Sequence, residues 1–481
     1  MAVPDSTRPA EDADRARLRS DAAASRERIV SAALELSGDR RLTMTELAAA
    51  ADVGRSTLYR HFPTRAALAA AIDQAKRAKA SADLTPNVAT LSYRPPGRLG
   101  REGSVALDVI HILDEVPPHL IADQLVAEAR RASGVAVALY VVDIDGSQLI
   151  RLAGSEDFPA ELEAPPALGP EIVPEGLPLF YEALRRRLPR CFAAPLWLRG
   201  RVIGLLLCVG EPIASLDDIA KQGAAALELA NDYTDLIESA RRRKPTTPAA
   251  EVQHELLPPR VARVTGAQIA GGLLPSYEVG GDWFDYVENR DGVWLAIADA
   301  RGTGPLAAGL SAAVLGALRS ARRSGKDLVD AVAAMDEVVR GLGRVESGVT
   351  TIVARWHAPT STLAWINCGH PAAHVATIDG VMTELDGPVH ARLGEGDTVR
   401  ELSPGVMRLD PGDRLVLVTN GIVERKVEDG GTFGVDGLRL AVLDAPTPSA
   451  AATAMSIQRA VIDAWTEPLQ DDATLLILAV D

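Results

Sequence analysis

Apolar positions recur along the chain with two different periods, and the change of period divides the chain into three regions. In the first region, residues 25–80, apolar residues return every three or four positions, which predicts helices. A second helix opens at Thr43, because Glu46 follows it at the spacing of a capping box. A tight turn at 52–54 leads into a short third helix that ends at Pro63. The first helix depends on four apolar positions: Ile29, Ala32, Ala33 and Leu36.

The second region, residues 104–243, mixes both periods. Two apolar runs, 135–143 and 201–210, predict buried strands with turns at "DIDGS" and "LRGR". A loop rich in Pro, Gly and Glu separates them, and one long helix over about 216–243 follows. This order predicts an α+β domain.

The third region, residues 251–481, alternates strands with two helical stretches, 304–323 and 326–341. Such an order predicts sheets with helices packed on them. Residues 1–24 are polar and of mixed charge, so we expect a disordered tail there. Residues 81–103 contain a Pro- and Gly-rich stretch and are interpreted as a linker.

Composition limits the classes of protein that this chain can represent. A length of 481 residues suits about three domains. The net charge of −15 argues against a protein that coats nucleic acid or anionic lipid along its whole length. No apolar run approaches the roughly 20 residues that span a bilayer, so we expect no membrane segment. The three cysteines form no CxxC pair, which favours buried free thiols in the cytoplasm.

The helical region is a locally basic module. Between residues 26 and 79 there are ten Lys or Arg against six Asp or Glu, a net charge of +4. Helix, capped helix, turn and short helix match a helix-turn-helix, and the stretch "VGRSTLYRHF" resembles the DNA-binding domain of TetR-family repressors. The resemblance implies DNA binding, with a helical domain for protein contacts as the alternative. The expected DNA-contacting residues lie on the third helix: Arg55, Ser56, Thr57, Tyr59, Arg60 and His61.

The middle region ends in a hairpin, "FAAPLWLRGRVIGLLLCVG", that resembles the closing hairpin of GAF domains. That resemblance implies sensing of a small ligand or dimerisation, and the sequence does not separate these roles. The long helix predicted after it carries apolar residues at 3/4 spacing, which favours a homodimer, with packing of the helix on its own sheet as the alternative. These residues are Leu229, Tyr233, Leu236 and Ala240.

Carboxylates and glycines flank one apolar run in the third region. Asp282 and Asp285 precede the run 293–298, and Asp299 follows it. Carboxylates at strand ends hold Mg²⁺ or Mn²⁺ well, and two such ions about 3.5–4 Å apart can activate water toward phosphorus. Two further strand ends carry suitable side chains, at Asn420 and at Asp471.

Eight ordered segments from "EVQHELLPP" to "DDATLLIL" resemble the metal-dependent, PPM-type Ser/Thr phosphatases of the SpoIIE/RsbU branch. The resemblance implies an α/β sandwich of two sheets flanked by helices, with two Mn²⁺ or Mg²⁺ ions. It assigns catalysis to Asp282, Asp299 and Asp471, and it adds the Ala300 carbonyl and position 420 as metal ligands. The implied substrate is a phosphorylated anti-anti-sigma protein of the STAS type.

Several positions depart from this pattern or allow another interpretation. Position 420 is Asn where the family has an acid, which removes one charge. We expect Asp285 to be a turn residue, Asp472 to orient its neighbour and His370 to be a hydrogen-bonded turn residue near the site. The alternative to a regulated phosphatase is a DNA-binding regulator whose phosphatase-like domain is weak or inactive.

Overall fold

The computed structural model describes most of the chain from Glu115 onwards. The chain divides into two compact units, Met1–Gly100 and Arg101–Asp481. In the first unit only scattered positions between 28 and 62 are described, and nine of the twelve are helical. The backbone N–H of Phe62 donates to the Leu58 carbonyl at 2.8 Å, and Leu58 is buried. The described ranges of the second unit are 115–274, 280–343, 348–396, 401–428, 430–467 and 469–481.

The predictions of a disordered tail at 1–24 and a linker at 81–103 lie outside the described residues. In the middle region a seven-stranded sheet has the order β3-β2-β1-β7-β5-β4, with β6 paired to β7. Its strands are β1 (Ala136–Val142), β2 (Gln148–Gly154), β3 (Glu161–Glu163), β4 (Ala167–Leu168), β5 (Glu171–Ile172), β6 (Cys191–Leu198) and β7 (Arg201–Val209).

Helices cover both faces of this sheet. Alternate residues of β1 face opposite sides: Leu139 packs with α1 (Ile121–Ser133) and α3 (Asp217–Asn231), and Tyr140 packs with α2 (Leu177–Arg187). The expected α+β layering is therefore present, whereas membership of the GAF family stays a prediction.

The prediction of one long helix over 216–243 is wrong. Helix α3 ends at Asn231, and a separate short helix, α4 (Leu236–Arg241), follows. The Thr234 hydroxyl accepts a hydrogen bond from the Leu236 N–H at 3.3 Å, because short polar side chains compete with helical backbone pairing.

The last region is a sandwich of two six-stranded sheets. One sheet has the order β10-β11-β12-β13-β16 with β17 paired to β13, and the other has the order β15-β14-β18-β19-β9-β8. The strands are β8 (Val261–Val264), β9 (Ala267–Leu274), β10 (Asp282–Asn289), β11 (Gly292–Ala300), β12 (Val349–His357), β13 (Thr362–Cys368), β14 (His374–Ala376), β15 (Met382–Glu384), β16 (Val389–His390), β17 (Gly405–Arg408), β18 (Arg414–Val418) and β19 (Ala473–Val480).

Helices close both outer faces of the sandwich, as the resemblance implied. The first sheet packs on α6 (Gly304–Arg323) and α7 (Leu328–Gly341), and the second packs on α9 (Gly434–Leu443) and α10 (Ala450–Asp463). Helix α7 begins at Leu328 because the side chain of Asp327 caps it by accepting from the Asp330 N–H at 2.9 Å. The helices are α5 (Pro248–Leu256), α6 (Gly304–Arg323), α7 (Leu328–Gly341), α8 (Asn420–Val423), α9 (Gly434–Leu443) and α10 (Ala450–Asp463).

The middle region and the sandwich share buried contacts. Leu168 and Val173 belong to the same apolar core as residues of α10. The buried carboxylate of Glu171 accepts from the Arg201 guanidinium and from the Val261 backbone N–H, each at 2.8 Å. These contacts fix the sandwich against the sheet that precedes it.

The three cysteines are free and buried, which confirms the expectation from their spacing. Within the described ranges, none of the helices combines the length and the apolar character that crossing a membrane requires.

Candidate active site

Two of the predicted acids meet at one end of the first sheet. Asp282 opens β10 and Asp299 lies next to the end of β11, and the two residues are direct partners in the antiparallel ladder. Gly281 makes this close start of β10 possible, because a Cβ there would stand 2.1 Å from the Ala300 carbonyl oxygen. The absent side chain lets the Gly281 backbone lie against the Ala300 carbonyl beside the acid pair.

Asp282 is almost fully enclosed, with 1% of its surface exposed. Its Oδ2 accepts a hydrogen bond from the Thr419 hydroxyl at 2.7 Å, and its backbone carbonyl accepts from the Gln253 side chain at 3.0 Å. Its Oδ1 is buried and has no hydrogen-bond partner among the described residues. Burial, followed by the charges of Asp299 and Asp472, raises the pKa of Asp282 well above its usual range.

The second sheet brings the other two predicted positions to the same region. Asn420 follows β18 and begins α8, and Asp471 lies two residues before β19. The Asn420 amide donates to Asp471 Oδ2 at 3.5 Å, and within the described ranges its buried Oδ1 finds no partner. Burial raises the pKa of Asp471 as well.

The acids act on each other electrostatically across the two sheets. Burial raises the pKa of Asp299 to about 6, and the negative charges of Asp471 and Asp472 add to the increase. The positive charge of Arg392 opposes it. The predicted acids thus lie close enough to destabilise one another's charged forms, which a bound cation would reverse.

The structure corrects one interpretation and agrees with two others. Asp285 is not a turn residue, since it is buried inside β10 and pairs with Arg319 at 2.9 Å and Arg322 at 2.7 Å. Asp472 accepts from the Gln253 side chain at 2.7 Å and from the Gly280 N–H at 3.0 Å, and its own N–H donates to Asp471.

His370 is the buried turn histidine that the sequence suggested. Its N–H donates to the Asn367 side chain at 2.8 Å, and its Nδ1 lies 2.9 Å from the Thr350 hydroxyl. Burial lowers the pKa of His370 to about 3, so the ring is neutral at physiological pH. It therefore contributes no positive charge beside the acids.

The donor set fits divalent cations only in part. Two buried oxygens without partners, Asp282 Oδ1 and Asn420 Oδ1, are the hard ligands that Mg²⁺ and Mn²⁺ prefer. However, in the part of the chain that the structure describes, no group of three or more His, Cys, Asp or Glu side chains has an arrangement that could hold a metal ion. A complete site consequently needs a further ligand, such as the amide of Asn420 or the Ala300 carbonyl, or a small movement that brings the acids at the strand ends closer together.

The predicted DNA-contacting residues lie almost entirely outside the described part of the chain. Thr57 alone is described, and it is helical and half-buried. The others are Arg55, Ser56, Tyr59, Arg60 and His61, and their role stays a prediction.

Sequence reasoning did not assign three residues that contribute to the site. Gln253 lies within a segment that carried the family resemblance, but its partners Asp282 and Asp472 are distant in sequence. Thr419 precedes Asn420 and orients Asp282. Arg392 places a positive charge near Asp299, and no sequence pattern indicates it.

Two family models match parts of this chain. Residues 289–481 match the family described as stage II sporulation protein E (SpoIIE), and residues 29–72 match the family of bacterial regulatory proteins, tetR family. The resemblance to SpoIIE/RsbU-like phosphatases behind a TetR-like segment is thereby confirmed.

Individual relatives are distant. Phosphoserine phosphatase RsbU of Bacillus subtilis (strain 168) is 22% identical over 232 residues, which are 48% of this chain and 68% of that protein. The SiaA-PP2C domain of Pseudomonas aeruginosa is 22% identical with a TM-score of 0.39, and the match covers 44% of this chain and 86% of that domain. RsbX in complex with magnesium is 16% identical with a TM-score of 0.36, and the match covers 46% of this chain and 98% of that chain.

Proposed function

We propose that residues 251–481 form a metal-dependent protein serine/threonine phosphatase. The observation that carries the proposal is the Asp282–Asp299 pair, which opposes two carboxylates in one ladder and leaves a buried Asp282 oxygen without a partner among the described residues. Without a cation such a pair is destabilising, because like charges face each other in a partly dry environment.

Five groups would hold two Mn²⁺ or Mg²⁺ ions, and they are the ones that the resemblance indicated. When bound, the ions would supply charge neutralisation and Lewis-acid activation for the hydrolysis of a phosphoester. The groups are the side chains of Asp282, Asp299, Asn420 and Asp471 and the carbonyl of Ala300.

The chain's own residues fix the geometry of this set. The hydroxyl of Thr419, which follows a strand of the other sheet, donates a hydrogen bond to Asp282 Oδ2. This bond fixes the orientation of the carboxylate and therefore of Asp282 Oδ1. Asp472 binds the Gly280 N–H and thereby holds the start of β10. These contacts act as outer supports that orient ligands.

The test is hydrolysis of p-nitrophenyl phosphate by the full chain with Mn²⁺ and in EDTA. We expect turnover only with the metal, a loss of at least 100-fold in Asp299→Asn, and no change in Arg459→Gln, whose side chain is 85% exposed on α10. Equal turnover in EDTA contradicts metal dependence.

We further propose that the substrate is a phosphorylated regulatory protein of the STAS type. The support is the sequence resemblance to the SpoIIE/RsbU branch together with the phosphoserine phosphatase among the relatives. The test is release of phosphate from purified phosphoserine-containing STAS proteins of the same cell, with a phosphotyrosine protein as the control. Failure on every phosphoserine protein, with turnover of the small substrate intact, contradicts the substrate but not the enzyme.

A second candidate function is that of a DNA-binding regulator with a weak phosphatase-like domain. The match of residues 29–72 to a DNA-binding family supports it, as does the uncharged Asn420. Binding of genomic fragments that weakens steeply with salt and is lost in Arg60→Ala would support this function. Both functions can coexist, with the N-terminal regions regulating the phosphatase from a dimer in the cytoplasm.

A further inference from the structure

We propose that a cavity beside the β10–β11 hairpin binds a small molecule that carries two or more linked phosphate groups. The cavity measures about 670 Å³ and lies between the hairpin and the end of α6. None of the five groups proposed as metal ligands lines this cavity, and its residue nearest to them in sequence, Asp285, forms ion pairs with arginines of α6. The site is therefore distinct from the candidate active site.

Positive charge dominates the lining of this cavity. Its two carboxylates are already paired: Asp285 with arginines of α6, and Asp291 with Arg355 at 3.3 Å. Five basic residues line the same cavity. Three of the five have no carboxylate at ion-pair distance within the described ranges: Arg290, Arg323 and Lys326. The five are Arg290, Arg319, Arg322, Arg323 and Lys326.

Arg322 adds a buried donor to this surplus charge. Its side chain is 7% exposed, and one nitrogen, Nη2, binds Asp285 at 2.7 Å. The other nitrogen, Nη1, is buried and has no hydrogen-bond partner among the described residues. A buried guanidinium with an unused donor is costly, and the planar fork of arginine matches phosphate oxygens. A bound phosphate group would relieve both the unused donor and the repulsion among the cations.

Size and charge identify the class of ligand. The volume falls within the range of about 300–1,000 Å³ that is typical of small-molecule sites. Three cations without carboxylate partners favour linked phosphates over a single phosphate or a carboxylate. Pro258, Tyr286 and Val287 form an apolar wall, which can contact the organic part of a nucleotide.

The experiment is calorimetric titration of the full chain with inorganic pyrophosphate and, separately, with ADP. EDTA is present throughout, so that no metal ion recruits either probe to the acid cluster or supports hydrolysis. Arg323→Gln/Lys326→Gln removes two exposed cations of the cavity. Arg186→Gln/Arg459→Gln removes two cations elsewhere, whose side chains are 80% and 85% exposed, and serves as the matched control.

We expect pyrophosphate to bind, and its Kd to rise at least tenfold in the cavity variant and less than twofold in the control. Tighter binding of ADP than of pyrophosphate supports the proposal with a nucleotide as the ligand, and equal binding supports it with the phosphate groups alone. Absence of binding at 5 mM pyrophosphate overturns it. So does an equal loss in both double variants, which indicates nonspecific attraction, or no loss in either, which places the binding on another basic part of the chain.

Discussion

Asp282 and Asp299 are paired residue to residue across one antiparallel ladder, so that two carboxylates occupy the same end of a largely buried sheet. Neither carboxylate has an arginine or lysine within ion-pair distance among the described residues, in contrast to Asp285 three positions later, which pairs with two arginines. This contrast separates an acid that stabilises the fold from acids available to a ligand.

Replacing one member of the pair should stabilise the metal-free protein. In EDTA we expect Asp299→Asn to raise the free energy of unfolding by about 0.5–1 kcal/mol, because it removes a like-charge contact with little change of shape. With Mn²⁺ the wild type should become the more stable of the two proteins, since only the wild type gains binding energy. Thermal unfolding in EDTA and in Mn²⁺ measures both effects. An equal Mn²⁺-induced shift in the two proteins contradicts the assignment of Asp299 as a ligand.

Restoring the family's acid at position 420 should destabilise the metal-free protein and strengthen the binding of metal. Asn420 donates to Asp471, so Asn420→Asp replaces a hydrogen bond by a repulsion when no metal is bound. With Mn²⁺ we expect tighter binding by about 1–3 kcal/mol, the scale of a charged partner. Metal titration of turnover and of the melting temperature tests this expectation. Identical metal dependence in both proteins shows that position 420 is not a ligand.

His370 should make the protein sensitive to acid. Burial lowers its pKa to about 3 in the folded state, while the unfolded chain binds a proton near pH 6.5. The unfolded state therefore holds more protons between these values, and stability is lost as pH falls from about 6.5 towards 3. We expect the difference in unfolding free energy between pH 7 and pH 5 to be smaller in His370→Asn. An unchanged pH dependence contradicts a buried neutral histidine.

Glu171 should couple the middle region to the sandwich. Glu171→Ala leaves Arg201, whose side chain is 11% exposed, without one of its partners and the Val261 N–H without its acceptor. Breaking a buried pair from one side costs about 3 kcal/mol. Urea denaturation measures the loss, with Glu182→Ala as the control, whose side chain is 64% exposed in a surface ion pair. A loss below that of the control contradicts the coupling.

The exposed apolar residues around the end of α3 are the surface on which we expect the chain to dimerise. Leu229 of α3, Tyr233 in the turn after it and Leu236 at the start of α4 are 53%, 79% and 43% exposed. We expect Leu229→Glu/Tyr233→Glu to convert a dimer of the full chain into a monomer in light scattering. A wild-type monomer at tens of micromolar rules out this surface as a dimer interface.

The elements that follow from local sequence were predictable. The strand before Asp299 and the helix Gly304–Arg323 match their predicted ranges closely, because the apolar period and a starting glycine lie within each segment and the helix also has a basic last turn. The break after Asn231 was missed because it depends on short polar side chains rather than on the apolar period.

The supports of the candidate site were not predictable in this way. Gln253 binds Asp472 across 219 residues, and Arg322 binds Asp285 across 37. Such pairs depend on which strands and helices come together, and one sequence does not reveal that. The resemblance indicated the acids themselves, whereas their partners required the fold.

The shared core of Leu168, Val173 and α10 changes what counts as a transferable part of this chain. A cut near residue 250 would expose apolar surface on the sandwich and leave Glu171 and Val261 without each other. The piece that recombination, or a protein engineer, could move intact is therefore the whole of Arg101–Asp481. A new N-terminal sensor attached before residue 101 would be joined to a sheet and a sandwich that share one apolar core.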